Sequence, residues 1–427
     1  MLPENILLEI FDFYRKDHEY ANRGVVGKEV WSWHLLVHVC RRWRQVIFES
    51  PRRLNLRIFC TEKSAVEKKL AIWPAVPIVI CCYSWESISP REEGNLIAAL
   101  RHPSRVCSVT LRALGPQVGK VATVMQEPFP VLTYLRIWSW GESAPVLPGR
   151  FLGGFAPCLQ TLSLQGIAFP ALRMLLLSAN DLVKLELREI PPNGYISPET
   201  MVACLAALPR LETFIIEFRL ATPRPNQTRT VPPVTRTALS ALTHFQFNGA
   251  SEYLEDLAAQ IDCPQLDYIR IAYLNQLVDF QVGQLSEFID RSLGPKLTLF
   301  NRAVVTFHNN CVYTTHGRVS RSPRSFDAVY LKTFINCKEI DWQVSHMAQV
   351  LRHFPVTLSS SVTHLHLDGQ LSSLQLRGMG LAEWQPLLLH FSPSRRCMYL
   401  RSSPSTLPLH WTTPQRRRSP KCCRPLA

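Results

Sequence analysis

The stretch TLSLQGIAFPALRMLLLSANDLVKLEL, residues 161–187, contains two short runs of alternating apolar residues with a helical segment between them. Alternation with a period of two is typical of a β-strand with one buried face. The intervening LRMLLLSAN has the apolar spacing of a helix. The stretch therefore predicts a strand, a helix and the strand of the next unit, with Leu162 and Leu185 as equivalent positions 23 residues apart.

Runs of the same form recur on both sides of this stretch, with further helical segments such as MVACLAALPR and SEYLEDLAAQIDCP between them. The runs TYLRI, QTLSL, VKLEL, ETFII, THFQF and DYIRI place the repeated apolar residue at Leu135, Leu162, Leu185, Phe214, Phe245 and Ile269. The intervals of 27, 23, 29, 31 and 24 residues are close to the period of leucine-rich-repeat solenoids, about 20–29 residues. We therefore predict an irregular, leucine-rich-repeat-like α/β solenoid over residues 101–390, which CSVTL and THLHL would extend at its two ends.

An ordinary α/β domain with a parallel sheet is the alternative fold, because strands that alternate with helices describe both architectures. The repeated apolar-x-apolar ending of each run favours the solenoid. The Pro/Thr-rich segment 221–237 is predicted to be a surface loop that interrupts the array. Residues 61–100 are predicted to connect the array to the N-terminal part of the chain.

Two amphipathic helices are predicted in residues 1–60. Pro3 and Glu4 suit the first turn of a helix, in which apolar residues then recur at helical spacing. The second helix has its apolar residues between Leu36 and Ile47 and ends at a Ser-Pro step. Two such short helices cannot bury both apolar faces against each other alone, so part of this surface is expected to pack on the next domain or on a partner.

The sequences LPENILLEIF and LVHVCRRWRQVIFESPRRL resemble the F-box, in which a Leu-Pro pair begins the first helix and a Val-Cys-Arg-x-Trp step lies in a later one. The N-terminal part is similar to F-box proteins of mushroom-forming (basidiomycete) fungi. The chain departs from that pattern in a polar insertion at 15–32 and in Leu54 and Leu56, where a tryptophan is common. The resemblance implies docking onto a Skp-type adaptor of a cullin-RING ubiquitin ligase. It assigns adaptor-binding or module-core roles to Leu2, Pro3, Ile6, Leu7, Ile10, Phe11, Val39, Cys40, Arg42 and Trp43.

The function that this resemblance implies is substrate recognition for the ligase, with the solenoid holding an unknown protein substrate. Strand alternation directs one set of side chains away from the core, and these are the candidate substrate-binding residues. They are Tyr134, Arg136, Trp138, Gln165, Lys184, Glu186, Arg188, His244, Gln246, Tyr268 and Arg270. The alternative function is a leucine-rich-repeat binding scaffold with no link to a ubiquitin ligase.

Sequence motifs for catalysis, for phosphate binding and for cofactors are absent, and we therefore predict that the chain is not an enzyme and needs no cofactor. His34 and His38 have the spacing of zinc ligands on a helix, but Leu35 stands where the zinc-protease motif has glutamate. His364, His366 and Asp368 lie on one predicted strand without a further ligand placed by sequence. We interpret all these histidines as packing or surface residues and predict no metal site.

The cellular environment is predicted from cysteines and hydropathy. The thirteen cysteines are odd in number and include two adjacent pairs but no Cys-x-x-Cys, so we expect reduced thiols. The first residues include Glu4 and Glu9 instead of a basic signal region, and the longest apolar run, LAIWPAVPIVICCY, is short and contains two prolines. These features predict a cytoplasmic or nuclear protein that makes no membrane contact.

The C-terminal segment 391–427 has seven arginines, one lysine and no acidic residue, in a chain of net charge +14. The preceding 390 residues thus carry only +6, which does not favour nucleic-acid binding by the folded body. The segment also loses helical periodicity, and we predict a disordered basic tail. Two origins are open: translation in a shifted reading frame, or a native tail that binds nucleic acid or acidic partners.

Overall fold

The structure is a computed structural model that describes residues 2–21, 32–50, 57–73, 75–84, 86–220, 235–274, 283–319, 326–337, 339–369, 381–391 and 398–401. The chain divides into two compact units, Met1–Leu220 and Ala221–Ala427. The division falls at the start of the predicted surface loop 221–237, of which residues 221–234 lie outside the described part. Both units combine helices with mostly parallel strands, so the predicted α/β class is confirmed.

In the described residues of its N-terminal part, the first unit contains three helices: α1 (Glu4–Ala21), α2 (Ser32–Val37) and α3 (Arg41–Glu49). The sequence predicted one helix where α2 and α3 lie, and the structure divides it at Cys40. The backbone of Cys40 is extended, and its sulfur accepts a hydrogen bond from the N–H of Trp43 at 3.4 Å. Because the first N–H groups of a helix have no partner within the helix, this contact favours a new start at residue 41.

The rest of the first unit is a sheet of seven parallel strands, each hydrogen-bonded to the next strand along the chain. The strands are β1 (Ile58–Thr61), β2 (Ile78–Tyr83), β3 (Val106–Leu114), β4 (Tyr134–Trp140), β5 (Thr161–Gln165), β6 (Lys184–Ile190) and β7 (Thr213–Phe218). The connecting helices are α4 (Val66–Ile72), α5 (Pro90–Leu100), α6 (Gly115–Val124), α7 (Leu172–Leu176) and α8 (Pro198–Leu205), with short 3-10 turns at Phe151–Gly154 and Pro192–Gly194. Residues 61–100, predicted as a connecting region, instead supply β2, α4 and α5, so the array begins earlier than residue 101.

The repeated apolar residues of the first unit form a row across the sheet. Leu135 pairs with Leu162, Leu162 with Leu185, and Leu185 with Phe214. All four side chains are fully buried. The apolar positions that recur in the sequence therefore lie side by side on neighbouring strands, as their intervals predict.

The second unit contains the strands β8 (Thr237–Ala238), β9 (His244–Gly249), β10 (Ile261–Asp262), β11 (Tyr268–Tyr273), β12 (Arg302–Phe307), β13 (Cys311–Val319), β14 (Phe326–Asn336), β15 (His364–Gly369) and β16 (Met398–Arg401). Its helices are α9 (Ser251–Gln260), α10 (Gly283–Leu297), α11 (Ile340–Arg352), α12 (Val356–Ser361) and α13 (Leu381–His390). Seven strands form a sheet in the order β9-β11-β14-β13-β12-β15-β16, while β8 and β10 pair with each other.

The second unit departs from the predicted uniform array between residues 302 and 336. There β12, β13 and β14 form an antiparallel meander, and β11 pairs with β14 instead of with the next strand along the chain. Only residues 308–310 connect β12 to β13, and so short a connection returns the chain antiparallel. The run THLHL forms β15, which pairs with β12.

Four residues of the segment 391–427, predicted to be a disordered tail, form a strand. Met398–Arg401 pairs parallel to β15, whose edge offers free backbone hydrogen-bonding groups. Apart from Phe391, the other residues of this segment lie outside the described part of the chain. The structure therefore does not bear on the predicted shift of reading frame. Among the helices that the structure describes, none combines the length and the apolar character needed to cross a membrane.

Candidate binding surfaces

An exposed apolar stripe runs along α1. Leu2, Ile6, Ile10 and Phe13 are 51%, 42%, 43% and 69% exposed, and their spacing of three or four residues places them on one side of the helix. Leu35 on α2 and Val39 after it are also exposed. We call these six residues the apolar stripe.

The opposite side of α1 packs within the three-helix bundle. Leu7, Leu8 and Phe11 are buried, and the ring of Phe11 meets Trp43 edge to face with centroids 4.9 Å apart. Leu36 and Val37 on α2, and Val46 and Ile47 on α3, are buried as well. The bundle therefore has a core of its own and still leaves the stripe uncovered within the described residues.

Further contacts hold the three helices to one another and to the strand–helix part of the first unit. The guanidinium of Arg42 donates to the carbonyl of Leu2, and Arg44 Nε donates to the carbonyl of Val37 at 3.0 Å. The ring of Trp73, which follows α4, contacts His38 and Phe48 at centroid distances of 6.3 and 6.4 Å. The stripe is thus presented by helices that are fixed on their other side.

The predicted adaptor-binding residues fall into three groups. Leu2, Pro3, Ile6, Ile10, Val39 and Cys40 are exposed, and Arg42 and Trp43 are partly buried. Leu7 and Phe11 lie in the bundle core and are not available to a partner. The resemblance gave these residues either an adaptor-binding or a module-core role, and their burial agrees with the module-core role. Sequence reasoning missed Phe13 and Leu35, although Phe13 follows Ile10 at helical spacing.

The outward face of the first sheet is an ion-pair network around Glu186. This carboxylate accepts a hydrogen bond from Ser163 Oγ at 2.8 Å and lies 3.1 Å from Lys184 Nζ. The guanidinium groups of Arg136 and Arg188 are 3.6 and 3.5 Å from it. Burial by itself would raise the pKa of the Glu186 carboxyl, but the hydrogen bonds and the cations outweigh burial and hold the pKa below its ordinary value.

Other predicted face residues of the first unit contact neighbours outside the predicted set. Arg112 stacks over the ring of Trp138 at 3.9 Å, and Gln165 donates to Glu189 at 2.8 Å. Arg188 also pairs with Glu217 at 2.8 Å. Cations and anions therefore compensate each other on this face.

The outward face of the second sheet is aromatic and cationic. His244 stacks on Tyr268, whose ring meets Tyr330 edge to face at 4.6 Å. Arg270 lies over Phe334 at 4.6 Å. The predicted residue Gln246, the register partner of Arg270 on β9, is buried. Of the predicted substrate face, these four residues, His244, Gln246, Tyr268 and Arg270, are the part that belongs to the second unit.

Three residues of this second face were missed by sequence reasoning. Tyr313, Lys332 and Phe334 lie on β13 and β14, whose apolar runs do not have the form of the repeat. Lys332 Nζ lies 4.2 Å from the centroid of Tyr313 and 4.7 Å from that of Phe334. Period-two alternation in the run AVYLKTFI was the available signal for Lys332 and Phe334.

The titratable groups in the described parts of the chain do not form a metal centre. No group of three or more His, Cys, Asp or Glu side chains there has the arrangement of a metal site. The ten described cysteines are free thiols, and burial raises the pKa of Cys60 to about 11 and that of Cys82 to about 12. Thiolate ligands or nucleophiles are therefore not favoured at these two positions.

In comparisons with known proteins, no model of a known protein family and no sequence of a curated protein matches this chain.

Proposed function

We propose that this chain is an F-box adaptor of a Skp/cullin/RING-type ubiquitin ligase and has no catalytic site of its own. The observation that carries the proposal is the apolar stripe. Leu2, Ile6, Ile10 and Phe13 face outward from a helix whose other side is packed. Exposed apolar surface of this kind is typical of a docking site, because covering it removes apolar area from water.

The F-box resemblance supports this function at individual positions. Leu2 and Pro3 stand directly before α1, where the F-box has its Leu-Pro pair. Cys40 and Trp43 form the start of α3, where the Val-Cys-Arg-x-Trp step lies. In α1, Leu7, Leu8 and Phe11 are buried while Ile6, Ile10 and Phe13 are exposed, so the helix has one packed side and one side open to a partner.

We further propose that the first unit belongs to the leucine-rich-repeat-like solenoids. Its seven parallel strands follow chain order, whereas a doubly wound α/β sheet reverses its strand order at a switch point. Such an array is a rigid scaffold on which a bound protein would be held close to the ligase. Catalysis in this complex is proximity, which raises the effective concentration of the substrate's lysines.

Co-purification of the full chain with a Skp-type adaptor tests the function. The variant Ile6→Ala/Ile10→Ala should bind at least about tenfold more weakly, since central apolar anchors dominate the energy of an interface. The matched control is Met174→Ala, which removes apolar atoms from another exposed position of the same unit. Thermal unfolding should be alike for all three proteins.

A substitution in the bundle core would not serve as a test of binding, because it also affects folding. Phe11→Ala removes a core ring and should destabilise the bundle by about 3–5 kcal/mol, so its loss of binding would not be informative. Undiminished adaptor binding by folded Ile6→Ala/Ile10→Ala would refute the assignment.

The alternative, a repeat scaffold whose helical bundle is only a cap, has one observation in its favour. The bundle contacts the first strand–helix unit through Trp73, as a terminal cap does. A cap, however, presents a polar outer surface, and the exposed side of α1 is apolar. Failure of the wild-type chain to bind the adaptor would favour the cap.

A further inference from the structure

Two cations lie side by side on the outward face of the second sheet. Arg270 on β11 and Lys332 on β14 are register partners on neighbouring parallel strands, which are about 4.8 Å apart. Both side chains are partly buried. The Arg270 guanidinium and the Lys332 ammonium lie 4.6 and 4.7 Å from the same ring, that of Phe334.

This arrangement lacks an opposite charge within the described residues. Neither cation makes an ion pair there. Among the strand residues of this sheet whose side chains are described, the outward-facing acid is Asp368 on β15, three strands from Lys332. Arg270 Nε is buried and donates no hydrogen bond to the described part of the chain. The faces of Phe334 and Tyr313 offer attraction to a cation, but they do not use the hydrogen-bond donors.

The pair carries a cost in the folded protein. Like charges at register positions of neighbouring strands repel each other, and partial burial leaves that repulsion less screened by solvent. Burial lowers the pKa of Lys332, and the charge of Arg270 lowers it further. A local arrangement that opposes folding and leaves hydrogen-bond donors unused is typical of a functional site.

The first unit shows the contrasting case. Arg136, Lys184 and Arg188 on its outward face all lie within 3.6 Å of the Glu186 carboxylate. That face neutralises its own charges, so a ligand would have to displace existing ion pairs. The face of the second unit leaves its donors free for one.

We propose that Arg270 and Lys332 bind an anionic side chain, acidic or phosphorylated, in a segment of a partner protein. An oxyanion placed between the two cations would accept hydrogen bonds from the Arg270 fork and from the Lys332 ammonium and relieve their repulsion. Tyr268 and Tyr330, the register partners next to them, supply ring surface for the flanking residues of that segment. The inference rests on the proposed function in that it names the substrate class of the adaptor.

Degenerate peptide libraries test the inference on the full-length chain. Each library fixes a central phosphoserine, phosphotyrosine, glutamate or serine between random flanks. The wild type should retain the charged libraries over the serine library, and retention should fall with added salt. The charged library that is retained most strongly identifies the source of the anion.

Two variants tie retention to the site. Arg270→Gln and Lys332→Met should each weaken retention of the charged libraries about tenfold or more. Lys332→Met keeps an aliphatic stem on the aromatic rings, and both changes remove a like-charge contact, so neither should lower the unfolding midpoint. Arg210→Gln, which removes a cation already paired with Asp181, is the control with the same loss of charge and should retain the libraries as the wild type does.

Three outcomes would overturn the inference. The first is equal retention of charged and neutral libraries, and the second is an equal loss of retention in Arg270→Gln and Arg210→Gln. The third is Arg270-dependent binding of a single-stranded oligonucleotide in preference to the peptides. Adaptor binding measured on the same proteins separates the two proposals. Arg270→Gln should still bind the Skp-type adaptor, and Ile6→Ala/Ile10→Ala should still retain the charged libraries.

Discussion

A single carboxylate, Glu186, organises the outward face of the first unit. It is almost fully buried, yet it contacts three cations that are themselves 28–41% exposed, together with the hydroxyl of Ser163. A buried charge is tolerated where its lone pairs are used in this way. Glu186 is therefore expected to stabilise the sheet through its charge.

The substitution Glu186→Gln tests that role. The amide keeps the size of the side chain but leaves Arg136, Lys184 and Arg188 without their shared anion, and the free energy of unfolding at pH 7 should fall by about 1–3 kcal/mol. The range allows for solvent screening of the partly exposed partners. Denaturant unfolding measures the change.

Acid should abolish the difference between Glu186→Gln and the wild type. The pKa of this carboxyl is lowered in the folded state, so its stabilisation is present above the ordinary value of 4.5 and is lost as the pH falls through the folded-state pKa. The control is Glu189→Gln at an exposed position, which should change stability by less than about 0.5 kcal/mol. Equal effects of the two substitutions on stability would contradict the stabilising role of the Glu186 charge.

At the scale of elements, the strand–helix unit that recurs along the first sheet is defined by the register of neighbouring strands. β5 and α7 together with their loops span residues 161–183, and Thr161 and Lys184 occupy equivalent positions on neighbouring strands. The N–H of Thr161 donates to the carbonyl of Thr133, and that of Lys184 donates to the carbonyl of Gln160. One repeat should therefore be removable without disturbing the alternation of side chains.

Deletion of residues 161–183 should give a shortened folded protein. Gln160 is then joined to Lys184, Leu185 takes the place of Leu162 against Leu135, and the core row is preserved. Stability should fall, because one buried unit is lost, while circular dichroism should show retained strand and helix. An unfolded product would favour the non-repetitive α/β alternative.

The matched control is deletion of residues 161–184, one residue longer. It puts Leu185 at an outward position and turns Glu186 toward the core, because side chains change face with each residue along a strand. This deletion should unfold the sheet. Equal behaviour of the two deletions would mean that register does not define the unit.

At the scale of the whole molecule, acid stability is expected to depend on two histidines of the second unit, the buried His316 and the half-buried His390. Burial lowers the pKa of His316 to about 3, and the positive charge of His390 contributes to the lowering. Burial also lowers the pKa of His390 to about 4. The Nε2 atoms of both are buried without a hydrogen-bond partner in the described part of the chain.

These values give the direction of the pH dependence. Between pH 6.5 and about 4 the unfolded chain binds protons at both histidines while the folded chain does not, so stability decreases as the pH falls. Each histidine contributes a slope of up to about 1.4 kcal/mol per pH unit. The variant His316→Gln should show a smaller slope over this range in denaturant unfolding.

The control for this slope is His308→Gln, which changes a histidine stacked on Tyr313 near the outward surface. Its pH dependence should follow that of the wild type. Identical slopes for His316→Gln and the wild type would show that the buried ring does not govern acid unfolding.

Much of the first unit could be predicted because its signals are local. The runs around Leu135, Leu162 and Leu185 alternate within five residues, and all three residues stack in the observed core. The helical spacing of Ile6 and Ile10 likewise placed an apolar face on α1. Local periodicity determines these features because a strand or helix repeats its own geometry along the chain.

The sequence by itself determined which residues are apolar on each element and how often the elements recur. Only the tertiary structure decided which elements become neighbours: that β14 lies beside β11, that Arg136 meets Glu186, and that Arg270 meets Lys332. Leu7 and Ile6 are adjacent in sequence, yet Leu7 is buried and Ile6 is exposed. This difference arises because α1 packs against α2 and α3 on the side of Leu7. The physical reason is that a charged side chain is neutralised, and an apolar face is buried, by residues that come from distant parts of the chain. Local sequence patterns do not show which distant residues come together.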